Sequence, residues 1–140
     1  MGSSFVLIDT SVWILALGRS APPEATDEVA HLLAENMVAI VPMIRLELLG
    51  GTKSLDDFNR LQSRFSALHQ MPADEANWET AIQLAFRLRR GGKMIPYTDI
   101  LIASAAITNE CTLLHCDRHF DLIAEAGHLK VKSLVSIARE

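Results

Sequence analysis

The sequence Phe5-Val6-Leu7-Ile8-Asp9 contains four consecutive apolar residues that end at a carboxylate. An uninterrupted apolar run of this length is typical of a parallel strand whose two faces are both buried. Thr10 or Ser11 is expected to cap the helix predicted to follow, which extends over 12–17 and stops at Gly18. The stretch therefore predicts a strand followed directly by a helix, with an acid between them.

Two further apolar stretches also predict buried strands. Val38-Ala39-Ile40-Val41 is stopped by Pro42, and the strand predicted over 112–116 runs into Asp117. A more exposed strand is predicted over 129–132, where apolar and charged residues alternate. Helical spacing of apolar residues is found at 26–36, 45–48, 54–68, 78–88, 99–109 and 119–126. Alternating strands and helices predict an α/β fold, a three-layer α/β/α sandwich with a mainly parallel central sheet.

Length and composition restrict the class of protein. The 140 residues match a single domain over 1–140, and a hydrophobic fraction of 49% argues against disorder. No apolar run approaches the roughly 18 residues that suggest a membrane span, so no membrane partner is expected. Cys111 and Cys116 are too few and too close for a disulfide framework, which favours a reducing, cytoplasmic location. The net charge of −4 argues against a protein that coats nucleic acid along its whole surface.

Two of the predicted helices carry specific expectations. The helix that opens at Asp99 is apolar on nearly every side, which predicts a central, buried position. In the preceding helix, the spacing of Trp78, Ile82 and Leu88 assigns these side chains to the core.

Four acids fall where a functional crevice is expected. Asp9 and Asp117 follow two apolar strands directly, and the carboxyl ends of parallel strands meet at one edge of a sheet. Glu47 lies on the helix after a third strand, and Asp99 lies in the first turn of the buried helix, so both can reach that edge. The sequence therefore predicts a catalytic cluster of these four acids.

A cluster of this kind requires a cation. Carboxylates that face one crevice repel each other unless a positive charge neutralises them. Oxygen ligands are those that Mg²⁺ prefers, and a bound ion can activate water and stabilise charge on a phosphate. An all-acid cluster without a Cys-rich or Walker-type element indicates hydrolysis of phosphodiesters, with all four acids as candidate metal ligands.

The acids lie in four short motifs that follow one another along residues 5 to about 135. The motifs are Asp9-Thr10-Ser11-Val12-Trp13, Arg45-Leu46-Glu47-Leu48-Leu49-Gly50, Tyr97-Thr98-Asp99-Ile100-Leu101-Ile102-Ala103-Ser104 and Cys116-Asp117-Arg118-His119-Phe120-Asp121. Together they resemble the successive motifs of PIN-domain nucleases, and most closely those of the VapC toxins of toxin–antitoxin pairs.

The resemblance implies an endoribonuclease that depends on Mg²⁺ or Mn²⁺, forms a homodimer and is held inactive by a VapB-like antitoxin. Exposed apolar residues around Phe58 and Leu61 are expected to contribute to the dimer face. The last motif contains a further acid, Asp121, which we assign to an outer shell because it lies one helical turn beyond Asp117. Thr10 and Ser11 are the other candidates for this outer shell.

A zinc site is the alternative suggested by His115, Cys116 and His119. Consecutive strand residues point to opposite faces, so the first two of these side chains do not converge easily on one ion. The sequence therefore favours the carboxylate cluster over zinc.

Basic residues gather before the segment that leads to Asp99. A solvated last turn of a helix explains such a cluster, because cations are favoured there by the helix dipole. Contact with RNA phosphates explains it equally well. The candidate RNA-binding residues are Arg87, Arg89, Arg90, Lys93 and Arg118.

Two other classes of function share features of this pattern. Phosphoryl-acceptor domains and related phosphatases also place an acid after the first strand. The phosphatases need a second Asp two residues later, and this chain has Ser11 there. A catalytically inactive PIN-like module that binds RNA or protein would keep the fold, and the presence of all four acids argues against it.

Overall fold

The structure is a computed structural model that describes residues 5–138. Over these residues its strands are β1 (Val6–Ile8), β2 (Val38–Ile40), β3 (His69–Gln70), β4 (Thr112–His115) and β5 (Val131–Ser133). Its helices are α1 (Thr10–Leu17), α2 (Pro23–Ala34), α3 (Pro42–Gly50), α4 (Leu55–Ser66), α5 (Glu75–Arg90), α6 (Tyr97–Thr108), α7 (Arg118–Ala126) and α8 (Val135–Ala138). None of these helices combines the length and the apolar character needed to cross a membrane.

The sheet is parallel throughout, with the strand order β3-β2-β1-β4-β5. In the central pair, Val6 lies opposite Thr112 and Ile8 lies opposite Leu114. Helices flank the sheet, which confirms the predicted α/β fold and the central position of β1 and β4. Apolar side chains on both faces of this pair are fully buried, as expected for interior parallel strands. These side chains are Leu7, Ile8, Leu113 and Leu114.

Helix α6 is the central helix predicted from its apolar sequence. It packs against α3, α5, α7 and β4, and most of its residues from Ile100 to Ala106 are buried. It begins at Tyr97 rather than at Asp99, and its N-cap is Pro96, which makes no side-chain cap bond. Asp99 therefore lies inside the first turn of α6, and its carboxylate is not used to cap the helix.

Strand β3 was not predicted. Its two residues, His69 and Gln70, are polar and give no apolar run, and they form a strand only by pairing with Ala39 and Ile40 of β2. Short polar strands are common at a sheet edge, where one side has no neighbouring strand. The strand exists because of its partner, which sequence periodicity does not reveal.

The expectation that Trp78 and Ile82 belong to the core is wrong. Their side chains are 52% and 60% exposed, and Phe86, four residues further along α5, is 63% exposed. Residues four apart lie on one side of a helix, so these three form an apolar stripe that faces solvent. The side of α5 that is buried carries Asn77, Ala81, Leu84 and Leu88.

Candidate active site

The pairing of β1 with β4 brings Asp9 and Asp117 to the same edge of the sheet. Each acid comes one or two residues after the end of its strand, and the two strands are adjacent and parallel. The Asp9 backbone N–H donates to the Leu114 carbonyl at 2.9 Å, so the ladder continues up to the acid itself. Both acids are N-caps, of α1 and α7 respectively.

Asp9 is held from several directions and is only 3% exposed. Its Oδ2 accepts the Ser11 backbone N–H at 3.0 Å and the Ser11 hydroxyl, so Asp9 caps α1 and the expectation that Thr10 or Ser11 does so is wrong. The Ser11 Oγ in turn accepts the Cys116 backbone N–H at 2.9 Å, which ties the end of β1 to the end of β4. The other oxygen, Asp9 Oδ1, is buried and has no hydrogen-bond partner among the described residues.

Asp99 and Asp117 meet at the ring of His119. The His119 Nδ1 lies 2.9 Å from Asp99 Oδ2 and 3.2 Å from Asp117 Oδ1. Because ionised carboxylates only accept hydrogen bonds, we place a proton on this nitrogen. Asp117 Oδ1 also accepts the His119 backbone N–H at 2.9 Å, which completes the cap of α7.

Glu47 reaches the site from α3. It is exposed, and its Oε1 accepts the hydroxyl of Thr10 at 2.8 Å. Thr10 directly follows Asp9, so this bond holds the exposed carboxylate beside the buried one. The structure thus brings all four predicted acids to one edge of the sheet, with Thr10 and Ser11 hydrogen-bonded to two of them.

Burial raises the pKa of both central acids. The pKa of Asp9 is raised first by burial and then by repulsion from Asp99, while the Ser11 hydrogen bonds lower it in part. The pKa of Asp99 is raised by burial and by repulsion from Asp117 and Glu47, against the lowering effect of its His119 hydrogen bond. Electrostatic repulsion therefore links the acids in one connected group.

The donor set fits a hard divalent cation. One ligand atom each from Asp99, Asp117 and His119 can be chosen so that all lie within 4.8 Å of one another. A buried carboxylate oxygen without a hydrogen-bond donor is costly. The buried Oδ1 of Asp9 has no such donor among the described residues, so it is suited to bind a metal ion. A cation would satisfy that oxygen and relieve the repulsion that, after burial, raises the two pKa values.

His119 belongs to this site although its sequence context suggests only a zinc site with His115 and Cys116. Among the described residues, His115, Cys116 and His119 do not form a group close enough to hold one ion. The Cys116 thiol donates to the Leu134 carbonyl at 3.5 Å. Burial and the nearby Asp117 and Asp9 raise the pKa of this thiol, which disfavours the thiolate that zinc binds. The useful signal for His119 is its position in the first turn of the helix that Asp117 caps.

Asp121 does not join the carboxylate group. Its Oδ1 lies 3.0 Å from Nε2 of His115, a fully buried side chain at the end of β4. The other ring nitrogen, His115 Nδ1, accepts the backbone N–H of Asp117 at 3.2 Å. Asp121 therefore contacts the site through His115 and the backbone of Asp117.

The basic residues make no described contact with the four acids. Arg87, Arg89 and Arg90 are exposed at the C-terminal end of α5, and Arg118 is exposed at the start of α7. Lys93 is 3.8 Å from Glu125 of α7, the helix that also carries His119. This contact places the loop after α5 beside the helix that contributes to the acid cluster.

Known proteins resemble this chain over most of its length. The profile of the PIN domain matches residues 6–126. A VapC ribonuclease of Mycobacterium bovis is 30% identical over 132 residues, which cover 91% of this chain and 98% of the relative. Ribonuclease VapC18 of Mycobacterium tuberculosis is 25% identical over 84% of this chain and 85% of its own length.

Solved structures show the same fold at lower sequence identity. The Rickettsia felis VapBC2 complex, bound to a DNA fragment from its promoter, contains a chain that matches with a TM-score of 0.76 and 21% identity over 92% of this chain and 98% of that one. A chain of Neisseria gonorrhoeae FitAcB matches with a TM-score of 0.73 and 20% identity over 91% and 96% of the two chains. The profile match and the long, 30% identical relative establish that this chain belongs to the PIN-domain family, in its VapC group.

Proposed function

We propose that this protein is a Mg²⁺- or Mn²⁺-dependent endoribonuclease, the toxin of a toxin–antitoxin pair. The observation that carries the proposal is the convergence of Asp9, Glu47, Asp99 and Asp117 at one sheet edge, with a buried, unpartnered oxygen on the first of them. Relatives named as VapC ribonucleases support RNA as the substrate.

In this proposal the four acids hold the cation, and His119 lies between two of them. A bound divalent ion supplies a water nucleophile near neutral pH and stabilises charge on the phosphate. The chain itself orients the ligands: Ser11 fixes one oxygen of Asp9, and Thr10 fixes one oxygen of Glu47. Preorganised ligands of this kind cost little reorganisation when substrate binds.

The substrate is proposed to be unpaired RNA held by exposed cations. Arg87, Arg89 and Arg90 supply positive charge at the end of α5, and Lys93 supplies it beside α7, in a chain whose net charge is −4. Arg118, next to Asp117, supplies another. Single strands and loops leave their backbone and bases accessible to a narrow acidic crevice, whereas a stiff duplex does not.

The antitoxin is proposed to bind an apolar groove formed by α1, α2 and α4. The groove has a volume of about 650 Å³, and Leu17 and Leu33 in its wall are 52% and 42% exposed. Leu61 also lines the groove. The α1 wall of the groove leads towards the acids, because α1 is about 12 Å long and starts directly after Asp9. An Arg on an antitoxin segment in this groove would pair with two carboxylates and replace the metal.

The homodimer is proposed to form through the exposed stripe of α5. Trp78, Ile82 and Phe86 offer a continuous apolar surface, and Tyr97 of α6, which is 68% exposed, extends it. Phe58, an earlier candidate, is half-buried and packs against the core. A second copy of the chain offers the same stripe, and two copies related by a twofold axis would cover both.

Metal removal and loss of one acid should each abolish cleavage. We expect purified protein to cut single-stranded RNA with Mn²⁺ and not in EDTA. Asp99→Asn and Asp117→Asn should each lower the rate at least about 100-fold, as loss of a group that stabilises transition-state charge does. Gel analysis of a labelled RNA measures the rate, with Asp56→Asn, an exposed acid of α4, as the matched control. Full cleavage in EDTA would contradict the metal mechanism, and no cleavage under any condition would favour an inactive binding module.

Without metal, Asp9→Asn should make the protein more stable. The folded-state pKa of Asp9 is raised, so its ionisation costs stability as pH rises through that value, while below the unfolded value of about 3.9 the cost is absent. Asn keeps the helix cap without the charge. In EDTA, the free energy of unfolding in urea should therefore be higher for Asp9→Asn than for wild type at pH 7, and the difference should shrink at about pH 3.5, below the unfolded value.

With metal bound, wild type should become more stable than Asp9→Asn. Mn²⁺ at a hundred times its dissociation constant should add roughly 2.7 kcal/mol to wild type and much less to Asp9→Asn. Asp56→Asn should behave as wild type at both pH values. If Asp9→Asn is the less stable protein in EDTA at pH 7, the strain assigned to Asp9 does not exist.

A charge in the α1–α2–α4 groove should weaken antitoxin binding without affecting RNA cleavage. We expect Leu33→Glu to lower affinity for the cognate antitoxin, measured by calorimetry, because it places a carboxylate in an apolar interface. The bound antitoxin should also weaken Mn²⁺ binding by wild type. Ile82→Glu, on α5, is the control. Antitoxin binding that leaves Mn²⁺ affinity unchanged would place the inhibition elsewhere.

A charge on the α5 stripe should separate the dimer. Ile82→Glu is expected to elute as a monomer when its mass is measured by light scattering, because a carboxylate next to its symmetry mate is costly to bury. Leu33→Glu should remain a dimer. A monomeric wild-type protein at micromolar concentration, or an unchanged Ile82→Glu dimer, would exclude this interface.

A further inference from the structure

His115 is a fully buried polar side chain that is not one of the proposed metal ligands. It is the last residue of β4, and its ring packs against Phe120 with a centroid distance of 5.3 Å. Buried polar groups need hydrogen-bond partners, and both ring nitrogens of His115 have one. The partners are the backbone of Asp117, the N-cap of α7, and the side chain of Asp121, in the first turn of the same helix.

The hydrogen bonds determine which nitrogen carries the proton. A backbone N–H can only donate, so the Asp117 N–H requires a lone pair on His115 Nδ1, 3.2 Å away. The proton must then be on Nε2, which donates to Asp121 Oδ1 at 3.0 Å. Asp121 thus fixes both the tautomer and the orientation of the ring.

Asp121 is itself connected to the next strand. Its Oδ2 is 3.5 Å from the hydroxyl of Ser133 at the end of β5, and that hydroxyl accepts the Val135 backbone N–H at 3.2 Å. Asp121 lies one turn after Asp117 on α7, so the chain of bonds returns to the helix that Asp117 caps. Both nitrogens of the His115 ring are therefore bonded to groups that are themselves held in place, the backbone of Asp117 and the carboxylate of Asp121.

We propose that His115 and Asp121 form a positioning pair for Asp117, an inference that rests on the proposed metal-dependent function. Asp117 has an extended backbone, with φ −141° and ψ 125°, at the point where β4 gives way to α7. The bond from its N–H to His115 fixes that backbone, while the bond from its Oδ1 to the His119 N–H fixes the carboxylate. Together they set the distance between this carboxylate and Asp99 across the His119 ring.

Loss of an outer partner of this kind typically costs 10- to 100-fold in metal affinity or activity. His115→Leu removes both bonds, and we expect it to weaken Mn²⁺ binding by about that factor. His115→Asn keeps an acceptor near the position of Nδ1 and should recover most of the affinity. His115→Gln keeps only the donor toward Asp121 and should resemble the Leu variant.

Asp121 gives an independent pair of variants at a partly exposed position. Asp121→Asn retains an oxygen that accepts from His115 Nε2 and should bind Mn²⁺ nearly as wild type does. Asp121→Ala leaves the ring without its partner and should weaken binding in the same way as His115→Leu. This pair keeps the inference testable if the buried His115 variants fail to fold.

The control is Leu113→Ala, a fully buried position on the same strand. It should lower the melting temperature through a cavity while leaving Mn²⁺ affinity unchanged. Titration calorimetry with Mn²⁺ alone gives the affinity, and thermal unfolding in EDTA gives the stability. Hydrogen exchange of the Asp117 amide reports the bond to His115 without metal, and it should be faster in His115→Leu than in His115→Asn.

The outcomes separate this inference from the proposed function. No Mn²⁺ binding by wild type would overturn the proposed function, and the positioning role with it. If wild type binds Mn²⁺ and His115→Leu and Asp121→Ala bind it equally well, the positioning role alone is overturned. The same holds if every variant loses affinity only in proportion to its loss of stability, as Leu113→Ala would then do too.

Discussion

The parallel pairing of β1 with β4 is the interaction on which the site depends, because it fixes where two carboxylates leave the sheet. Ile8 lies opposite Leu114, and the ladder continues to the Asp9 backbone N–H. Burial of the apolar side chains on both strands is worth roughly 25 cal/mol per Å². That gain offsets the cost of placing Asp9, which is 3% exposed, among them. A shift of register would move Asp9 away from Asp117 and lose the Ser11 link as well.

Helix N-termini reduce the repulsion that this arrangement creates. Asp9 caps α1, Asp117 caps α7 and Asp99 lies in the first turn of α6. The positive end of a helix dipole favours a carboxylate, typically by 0.3–1 kcal/mol. The capping bonds also use backbone N–H groups that would otherwise be unsatisfied. The fold therefore stabilises part of the negative charge, while burial and, to a smaller extent, mutual repulsion still raise the pKa values of Asp9 and Asp99.

The sequence predicted those features that depend on local patterns. Apolar runs located β1, β2 and β4, and the acids that follow two of them met at one edge because parallel strands share direction. Features that depend on tertiary partners were not predicted. His119 lies in the site because α7 packs beside α6, and β3 is a strand because it pairs with β2. Neither contact can be recognised from a local sequence pattern. The exposure of Trp78 could not be predicted, because the sequence pattern of an apolar stripe is the same whether the stripe packs on the core or faces outward.

In the proposed nuclease, three cations or donors compete for the same carboxylates. His119 already donates toward Asp99 and Asp117, a divalent ion would satisfy the unpartnered oxygen of Asp9, and a guanidinium from an antitoxin would pair with two acids at once. Repulsion among the carboxylates favours all three, so a stronger repulsion would raise the affinity for both the metal and the inhibitor. Selection between them must therefore come from outside the acid cluster. In this proposal the apolar α1–α2–α4 groove would provide the selection, because a peptide can fill it and a metal ion cannot. Affinity for the inhibitor can then change through groove residues such as Leu33 while the ligands of the metal stay the same.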